Sequence, residues 1–427
     1  MVFPVNKEYL FINGLSGAVK LVSKENAQKF FKGEPTKELE PFFTYMTPQE
    51  EVEKAVQVCN FLMERAQQCA DQTIALTYDC NLQCPYCYEI WAKTPETMRA
   101  VINEYKVNKV FEALDTLNTE CTKKGPIILT GGEPLMKKND AIVKYILQKG
   151  YNSGYSFSIF TNGVELHHFL PLISSVDINH LQITLDGPRS LHDKKRISRQ
   201  VNSTFDTIVG NIDTAREMEI PILVRTNVDE NILAHLDEFA EFIAEKKWVD
   251  DDNIRFSLAY ECDRRVDPEE FDQVAHLYKK VMEICSQPEF KFFEAYPFRK
   301  LYSLFDKSLF WPSFWNCNAV SKRYVFDPFG DVYPCRAMLG WKEERIGRYI
   351  PELKFNKNYE KWRSRTIFVM GSCAECDVAL VCGGGCGYAS LLNEKGLFNP
   401  VCAHTKEVIA SYVKYLYEKR QVAESEP

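Results

Sequence analysis

The chain has 427 residues, 45% hydrophobic and 26% charged, with a net charge of −7 and a pI near 5.7. That length favours two or three domains over one core, and the acidic balance argues against a nucleic-acid surface. No run of 18 apolar residues occurs, and Met1–Glu8 lacks a secretory apolar stretch, so no membrane span and a reducing cytoplasm are expected. In that compartment the 15 cysteines point to metal sites rather than disulfides.

Residues 1–70 open with two short strands, Leu10-Phe11-Ile12 and Ala18–Val22, joined by the turn residues Asn13-Gly14 and Ser16-Gly17. Ser23 is the expected N-cap of a helix reaching about Phe31. A second helix is expected from Pro48 to Gln68, with Val52, Ala55, Val56, Cys59, Leu62 and Met63 on its apolar face. The segment reads either as a cap over the next domain or as a binding element of its own.

From residue 71 to 287, strand-like and helix-like stretches alternate. The strands are Thr73–Thr77, Ile127–Thr130, Ser156–Thr161, Leu181–Leu185, Ile222–Asn227 and Ile254–Ala259. Helical stretches fall at about 99–118, 140–149, 165–174, 205–217, 234–246 and 267–285. Such alternation predicts an α/β fold with a parallel sheet, and six units predict an open, partial (β/α)6 barrel. Its site belongs at the C-terminal ends of the strands.

Just past the first strand comes Cys80-Asn81-Leu82-Gln83-Cys84-Pro85-Tyr86-Cys87, a C-x3-C-x2-C triple. Three thiolates on one loop can hold three irons of a [4Fe–4S] cube and leave the fourth iron open. Gly131-Gly132-Glu133-Pro134 follows the second strand, where glycine lets the backbone approach a neighbour closely. Thr161-Asn162-Gly163 follows the third and by itself reads as a turn. Thr184-Leu185-Asp186-Gly187-Pro188 follows the fourth, and Arg225 and Asn227 lie on the fifth. Cys121, Cys262 and Cys285 have no partner spacing and read as buried small apolar side chains.

Residues 288–316 are rich in aromatics, including Phe290, Phe293, Phe314 and Trp315, and read as packing between domains. Seven cysteines follow in 317–402. Cys317 and Cys335 flank Gly330, then Cys373, Cys376, Cys382 and Cys386 run as C-x2-C-x5-C-x3-C, with Cys402 beyond. A zinc ribbon also uses CxxC pairs, but only one pair here has that spacing, and seven suits sites of four ligands poorly. A helix and a polar tail occupy 403–427.

The Cys80 loop, with Tyr86 just before its last cysteine, resembles the signature of radical S-adenosylmethionine (SAM) enzymes. The later cysteines resemble the SPASM domain, an extension of those enzymes that carries two auxiliary clusters. The resemblance covers residues 71–402 and implies the same partial barrel. It implies SAM and three [4Fe–4S] clusters, with a 5′-deoxyadenosyl radical formed from SAM. By it, Cys80, Cys84 and Cys87 hold the SAM cluster, and Tyr86, Gly131, Gly132, Glu133, Thr184, Asp186, Arg225 and Asn227 contact SAM. Cys373, Cys376, Cys382 and Cys402 hold a distal auxiliary cluster. Cys317, Cys335 and Cys386 hold a nearer one, which is left a cysteine short.

The N-terminal hairpin is similar to elements that bind leader peptides, so a peptide maturase forming a Cys thioether is the preferred expectation. Its partners would be a precursor peptide and an electron donor such as flavodoxin or ferredoxin. A carbon–carbon crosslinking maturase is the next alternative. Anaerobic sulfatase-maturating enzymes carry an Asp base after the second SPASM cysteine, where this chain has Arg336. A non-catalytic iron–sulfur electron-transfer scaffold is the remaining class, and the intact SAM motifs argue against it. No catalytic acid or base can be assigned. Arg336, Asp327 and Asp331 are candidates by adjacency to Cys335 alone.

Overall fold

The computed structural model describes the chain apart from residues 35–36, 43–45, 90–91, 199, 261–270, 296–300, 302, 304, 306–309, 393–395, 403–404 and 426–427. Two sheets organise it. The first is antiparallel and formed by β1 (Val2–Val5), β2 (Glu8–Ile12) and β3 (Val19–Ser23), with β2 in the middle. The expected hairpin is therefore β2–β3. β1 has no alternating signal of its own because Pro4 sits inside it, and it is held by pairing Val2–Val5 with Glu8–Phe11.

The helix Lys24–Phe31 starts at Ser23, whose hydroxyl accepts the Asn26 N–H. Phe11, Val22, Ala27 and Leu39 form a small core between this helix and the sheet. The next helix, Pro48–Gln67, begins with a reciprocal cap between Thr47 and Glu50. Its expected apolar face is buried in part. Cys59 is covered and Ala55, Leu62 and Met63 pack against the core, but Val52 and Val56 at the start of the helix are exposed.

The second sheet has eleven strands. Its centre is the run of six parallel strands expected from the sequence: β4 (Asp71–Ala75), β5 (Ile127–Thr130), β6 (Phe157–Thr161), β7 (Ile178–Thr184), β8 (Ile222–Val228) and β9 (Ile254–Tyr260). Helices Glu104–Leu117, Asp140–Asn152, Leu166–Ile173, Thr204–Glu217, Leu236–Glu245 and Phe271–Cys285 alternate with them. Leu129, Ile159, Ile183 and Val224 point outward into the helices and are fully buried. Residues one position away, such as Phe160, Thr184 and Arg225, point inward and are only partly covered. The barrel interior is thus an open, partly polar space.

Two further strands extend this run in parallel. β10 (Phe293–Glu294) adds beside β9, and β11 (Arg323–Phe326) adds beside β4. The aromatic stretch contributes Phe290, Phe293, Phe314 and Trp315 to the core. Tyr296, Phe298 and Tyr302 lie outside the described residues, as does Cys262. β11 turns back through β12 (Asp331–Tyr333), β13 (Gly347–Arg348) and β14 (Lys354–Phe355), all antiparallel. This small meander ties the cysteine-rich lobe to the first barrel strand. A final helix, Thr405–Ser425, packs against the helix Phe271–Cys285 and β1. Among the described residues, no helix is long and apolar enough to cross a membrane.

One cysteine departs from expectation. Cys121 is not a lone buried side chain but is disulfide-bonded to Cys69, 52 positions away. The two flank β4 and the helix Glu104–Leu117, and the fold brings their backbones together. Cys285 is buried and free, as expected.

Candidate active site

The motifs fall on one end of the barrel, because each follows the C-terminal end of its strand. Asp79 starts the cysteine loop, its carboxylate accepting the Cys80 N–H at 2.9 Å and pairing with Lys138. The loop is fixed from outside by the Gln83 N–H, which donates to the Ile197 carbonyl at 2.8 Å. Lys93, outside the sequence motifs, sits among these thiols. Its ammonium is acted on by Cys87, Cys80 and Glu89.

Gly131 and Gly132 have positive φ (98° and 45°). What they approach is the cysteine loop itself. A Cβ on Gly131 would lie 2.7 Å from the Thr77 carbonyl oxygen, and one on Gly132 would collide with the Asp79 carbonyl. Gly132 N–H donates to Glu89 at 2.6 Å and Glu133 N–H to Asp79 O at 2.8 Å, so this turn clamps the loop from both sides.

Glu133 is buried, and its carboxylate accepts from the Thr161 hydroxyl at 2.7 Å and from the N–H groups of Asn162 and Leu135 at 2.6 and 2.8 Å. Burial pushes its carboxyl up to about 7 against those hydrogen bonds. Thr161-Asn162, read from sequence only as a turn, is therefore part of the site. Asn162 Nδ2 also lies 3.8 Å from Cys80 Sγ and donates to Asn81 at 2.7 Å.

The remaining expected SAM contacts join in one network. Tyr86 donates its hydroxyl to Asp186 Oδ2. Asp186 Oδ1 accepts the backbone and side-chain N–H groups of Asn227 at 2.8 and 3.1 Å, and Arg225 Nε donates to Asn227 Oδ1 at 3.1 Å. Thr184 stands in register with Arg225 on the adjoining strand.

Two residues that sequence reasoning passed over complete the network. Arg196 donates to the Tyr86 hydroxyl at 2.8 Å, with its Nη1 3.6 Å from Asp186. His192 Nδ1 accepts the Asp186 N–H at 3.0 Å. Burial, then the Arg196 charge, holds His192 well below the usual histidine range, so it is neutral and carries its proton on Nε2. His192 Nε2 and Arg196 Nε are both buried without a hydrogen-bond partner. Buried donors left open in this way fit an oxygen-rich ligand such as the ribose and carboxylate of SAM.

The later cysteines form two groups. Cys373, Cys376, Cys382 and Cys402 line one cavity of about 280 Å³. Burial, then the neighbouring thiols of Cys402, Cys382 and Cys376, pushes Cys373 up to about 11. Cys317, Cys335 and Cys386 are the second group. Each of the first two acts on the Cys386 thiol, whose pKa is raised by burial and then by them. Among the described residues, no three His, Cys, Asp or Glu side chains converge on a single ion. Thiolates that each take a different iron of a cube stand further apart than that.

Arg365 lies between the groups, fully buried, and is acted on by Cys386 and Cys317 of one and Cys373 and Cys382 of the other. It donates to the carbonyls of Leu397, Gly385 and Gly384 at 2.7, 2.9 and 2.9 Å. The run Gly383-Gly384-Gly385, which joins Cys382 to Cys386, has positive φ throughout. Only glycine reaches three such angles in a row without strain.

The three catalytic candidates go to different places. Asp327 is buried, accepting from the Tyr78 hydroxyl and from the N–H groups of Phe329 and Asp331, all at 2.9 Å. Asp331 is paired with Arg345 and Arg348. Both carboxylates are thus engaged in holding the β11–β12 turn. Arg336 instead stacks on Phe160 in the barrel interior, 4.5 Å from the ring centre.

Residues 74–243 match the Radical SAM superfamily. The chain is a radical SAM enzyme. SAM and one [4Fe–4S] cluster are the cofactors of that chemistry, and the thiols of Cys80, Cys84 and Cys87 and the open donors of this site fit them.

Among curated proteins, this radical SAM enzyme is similar to the cysteine-type anaerobic sulfatase-maturating enzyme of Clostridium novyi (strain NT). The two are 23% identical over 335 residues, 72% of this chain and 85% of the relative. Among solved structures it is similar to native anSMEcpe with bound AdoMet and Kp18Cys peptide, with a TM-score of 0.64, 16% identity, and 82% and 99% of the two chains covered. It is also similar to Streptococcus suis SuiB bound to precursor peptide SuiA. There the TM-score is 0.58, the identity 16%, and the coverage 94% and 98%. At such identities the structural likeness shows the fold.

Proposed function

We propose that this radical SAM enzyme matures a ribosomally made precursor peptide, joining a cysteine sulfur to carbon in an oxidative thioether crosslink. The observation that carries this reading is the pairing of two auxiliary cysteine groups with a separate N-terminal sheet. The three-cysteine group, Cys317, Cys335 and Cys386, would hold a cluster with an iron open to a substrate thiolate, since soft ligands suit such positions. The four-cysteine group would hold a second cluster as the exit for electrons.

When bound, SAM and its cluster supply a 5′-deoxyadenosyl radical that takes one hydrogen atom from the substrate. The chain's own work is placement. Tyr86, Asp186, Arg196 and Asn227 form the polar wall for the cofactor, and the clamp of Gly132 and Glu133 holds the cysteine loop. Among the described residues β3 is an edge strand of the N-terminal sheet, with exposed Phe31 on the helix that follows it. A leader segment can add there as a further strand. Flavodoxin or ferredoxin would supply electrons, and the reducing cytoplasm is the expected place of work.

The similarity to SuiB, solved with its precursor peptide, supports this reading over nearly the whole chain. The similarity to a sulfatase-maturating enzyme supports a second one, oxidation of a sulfatase cysteine. Arg336 stands where that class carries its Asp base, which favours the first. The test is anaerobic reconstitution with dithionite, SAM and the short cysteine-containing peptide encoded nearest the gene. Formation of 5′-deoxyadenosine with loss of two hydrogens from the peptide supports the maturase. Conversion of a sulfatase cysteine to formylglycine instead supports the second reading, and clusters that yield no 5′-deoxyadenosine reject both.

A further inference from the structure

Two carboxylates of the barrel are already engaged within the chain. Asp186 is taken up by Tyr86 and Asn227. At the other end, Asp71 accepts from Arg323 Nε and Nη2 at 3.0 and 2.9 Å and from Asn318 at 2.9 Å. Arg323 stands in register with Asp71 on the next strand, so the pair closes the N-terminal end of the barrel.

Arg336 lies between these ends. The ionisable groups that act on it are Tyr88, Arg323, Cys335 and Asp71. Tyr88 directly follows Cys87, and it also acts on Arg225. Arg336 therefore stands between the SAM-cluster loop and the auxiliary cysteine that precedes it in sequence. Among the described residues no carboxylate pairs with it, and its Nη1 is buried with no hydrogen-bond partner. The ring of Phe160 covers one face of the guanidinium. A guanidinium held flat by a ring keeps its N–H edge free for a planar, two-point acceptor.

We propose that Arg336 is a specificity-determining residue that receives a carboxylate side chain of the substrate segment entering the barrel. The proposal rests on the peptide reading above and narrows it: the segment carries Asp or Glu close to the reacting position. Arg225, tied to Asn227 and Asp186, belongs to the cofactor side, so the two guanidiniums serve different anions. An acidic group at Arg336 restores charge balance to a buried cation, whereas a neutral amide of the same shape does not.

The experiment uses the anaerobically reconstituted enzyme with saturating SAM. Three probes are titrated calorimetrically: a capped tripeptide with central Glu, its Gln counterpart, and free glutarate. The Glu peptide is expected to bind on the order of tenfold more tightly than the Gln peptide. That gap should vanish in R336Q, with auxiliary iron content unchanged.

Equal binding of the two peptides, or a gap that persists in R336Q, overturns the proposal and leaves the peptide function standing. Glutarate binding that depends on Arg336, with neither peptide bound, keeps the carboxylate site and rejects the peptide reading. Binding by none of the three overturns the proposal. If R336Q loses iron, R336K decides. It keeps the charge but not the fork, so the preference should weaken severalfold, and an undiminished preference overturns the proposal.

Discussion

The hydroxyl of Tyr86 donates to the carboxylate of Asp186, 100 positions later in the chain. This bond links the cysteine loop after β4 to the turn after β7. Arg196 donates to the same hydroxyl, so one phenol spans a cation and an anion. In Tyr86→Phe both lose their shared partner while the ring remains. The dissociation constant for SAM is expected to rise about tenfold, with iron on the SAM cluster unchanged. Equilibrium dialysis with labelled SAM, beside iron analysis, checks both statements.

Gly132→Ala places a methyl group against the Asp79 carbonyl at a φ of 45°. The obstacle is backbone, which cannot swing aside. We expect a loss of about 1–3 kcal/mol in stability and reduced occupancy of the SAM cluster, with the auxiliary cysteines still loaded. Urea titration and the electron paramagnetic resonance of the reduced enzyme report the two effects separately.

Glu133 makes stability depend on pH. Burial raises its carboxyl from 4.5 to about 7, and that of Asp327 from 3.8 to about 6. Between those values the folded chain holds protons that the unfolded chain has lost. The contribution is therefore complete below about pH 4 and is lost as pH rises through about 7. In Glu133→Gln the fall in stability between about pH 5 and pH 8 should shrink, by at most about 3 kcal/mol. An unchanged slope in urea titrations of the iron-free chain would show that Glu133 is ionised throughout.

Arg365→Met leaves three backbone carbonyls, those of Leu397, Gly385 and Gly384, without their donor. The glycine run that connects the auxiliary groups then loses its anchor. Stability should fall by about 3 kcal/mol or more, and auxiliary iron should be lost while SAM cleavage persists. Retention of full iron would show that the run holds its shape unaided.

Much of the scaffold is legible in the sequence. The six central strands and their helices follow from the alternation of apolar stretches, and most strand ends were placed within two residues. The cysteine triple, the turn at Gly131 and the pair Thr184 and Asp186 were legible because each is a short pattern tied to a strand end. β1 was missed because Pro4 breaks its pattern. β10 to β14 are two to four residues long and carry too little periodicity to register.

The sequence by itself determined the barrel and pointed to thiolate chemistry at Cys80, Cys84 and Cys87, since periodicity and ligand spacing are local properties. Only the tertiary structure decided what the single polar residues do. It turned Glu133 inward to clamp a loop, drew His192 and Arg196 beside Tyr86, and joined Cys69 to Cys121. It engaged Asp327 and Asp331 in a turn but left Arg336 open in the barrel. A lone Arg or His carries no pattern, and its role depends on which desolvated groups long-range folding brings within hydrogen-bond reach.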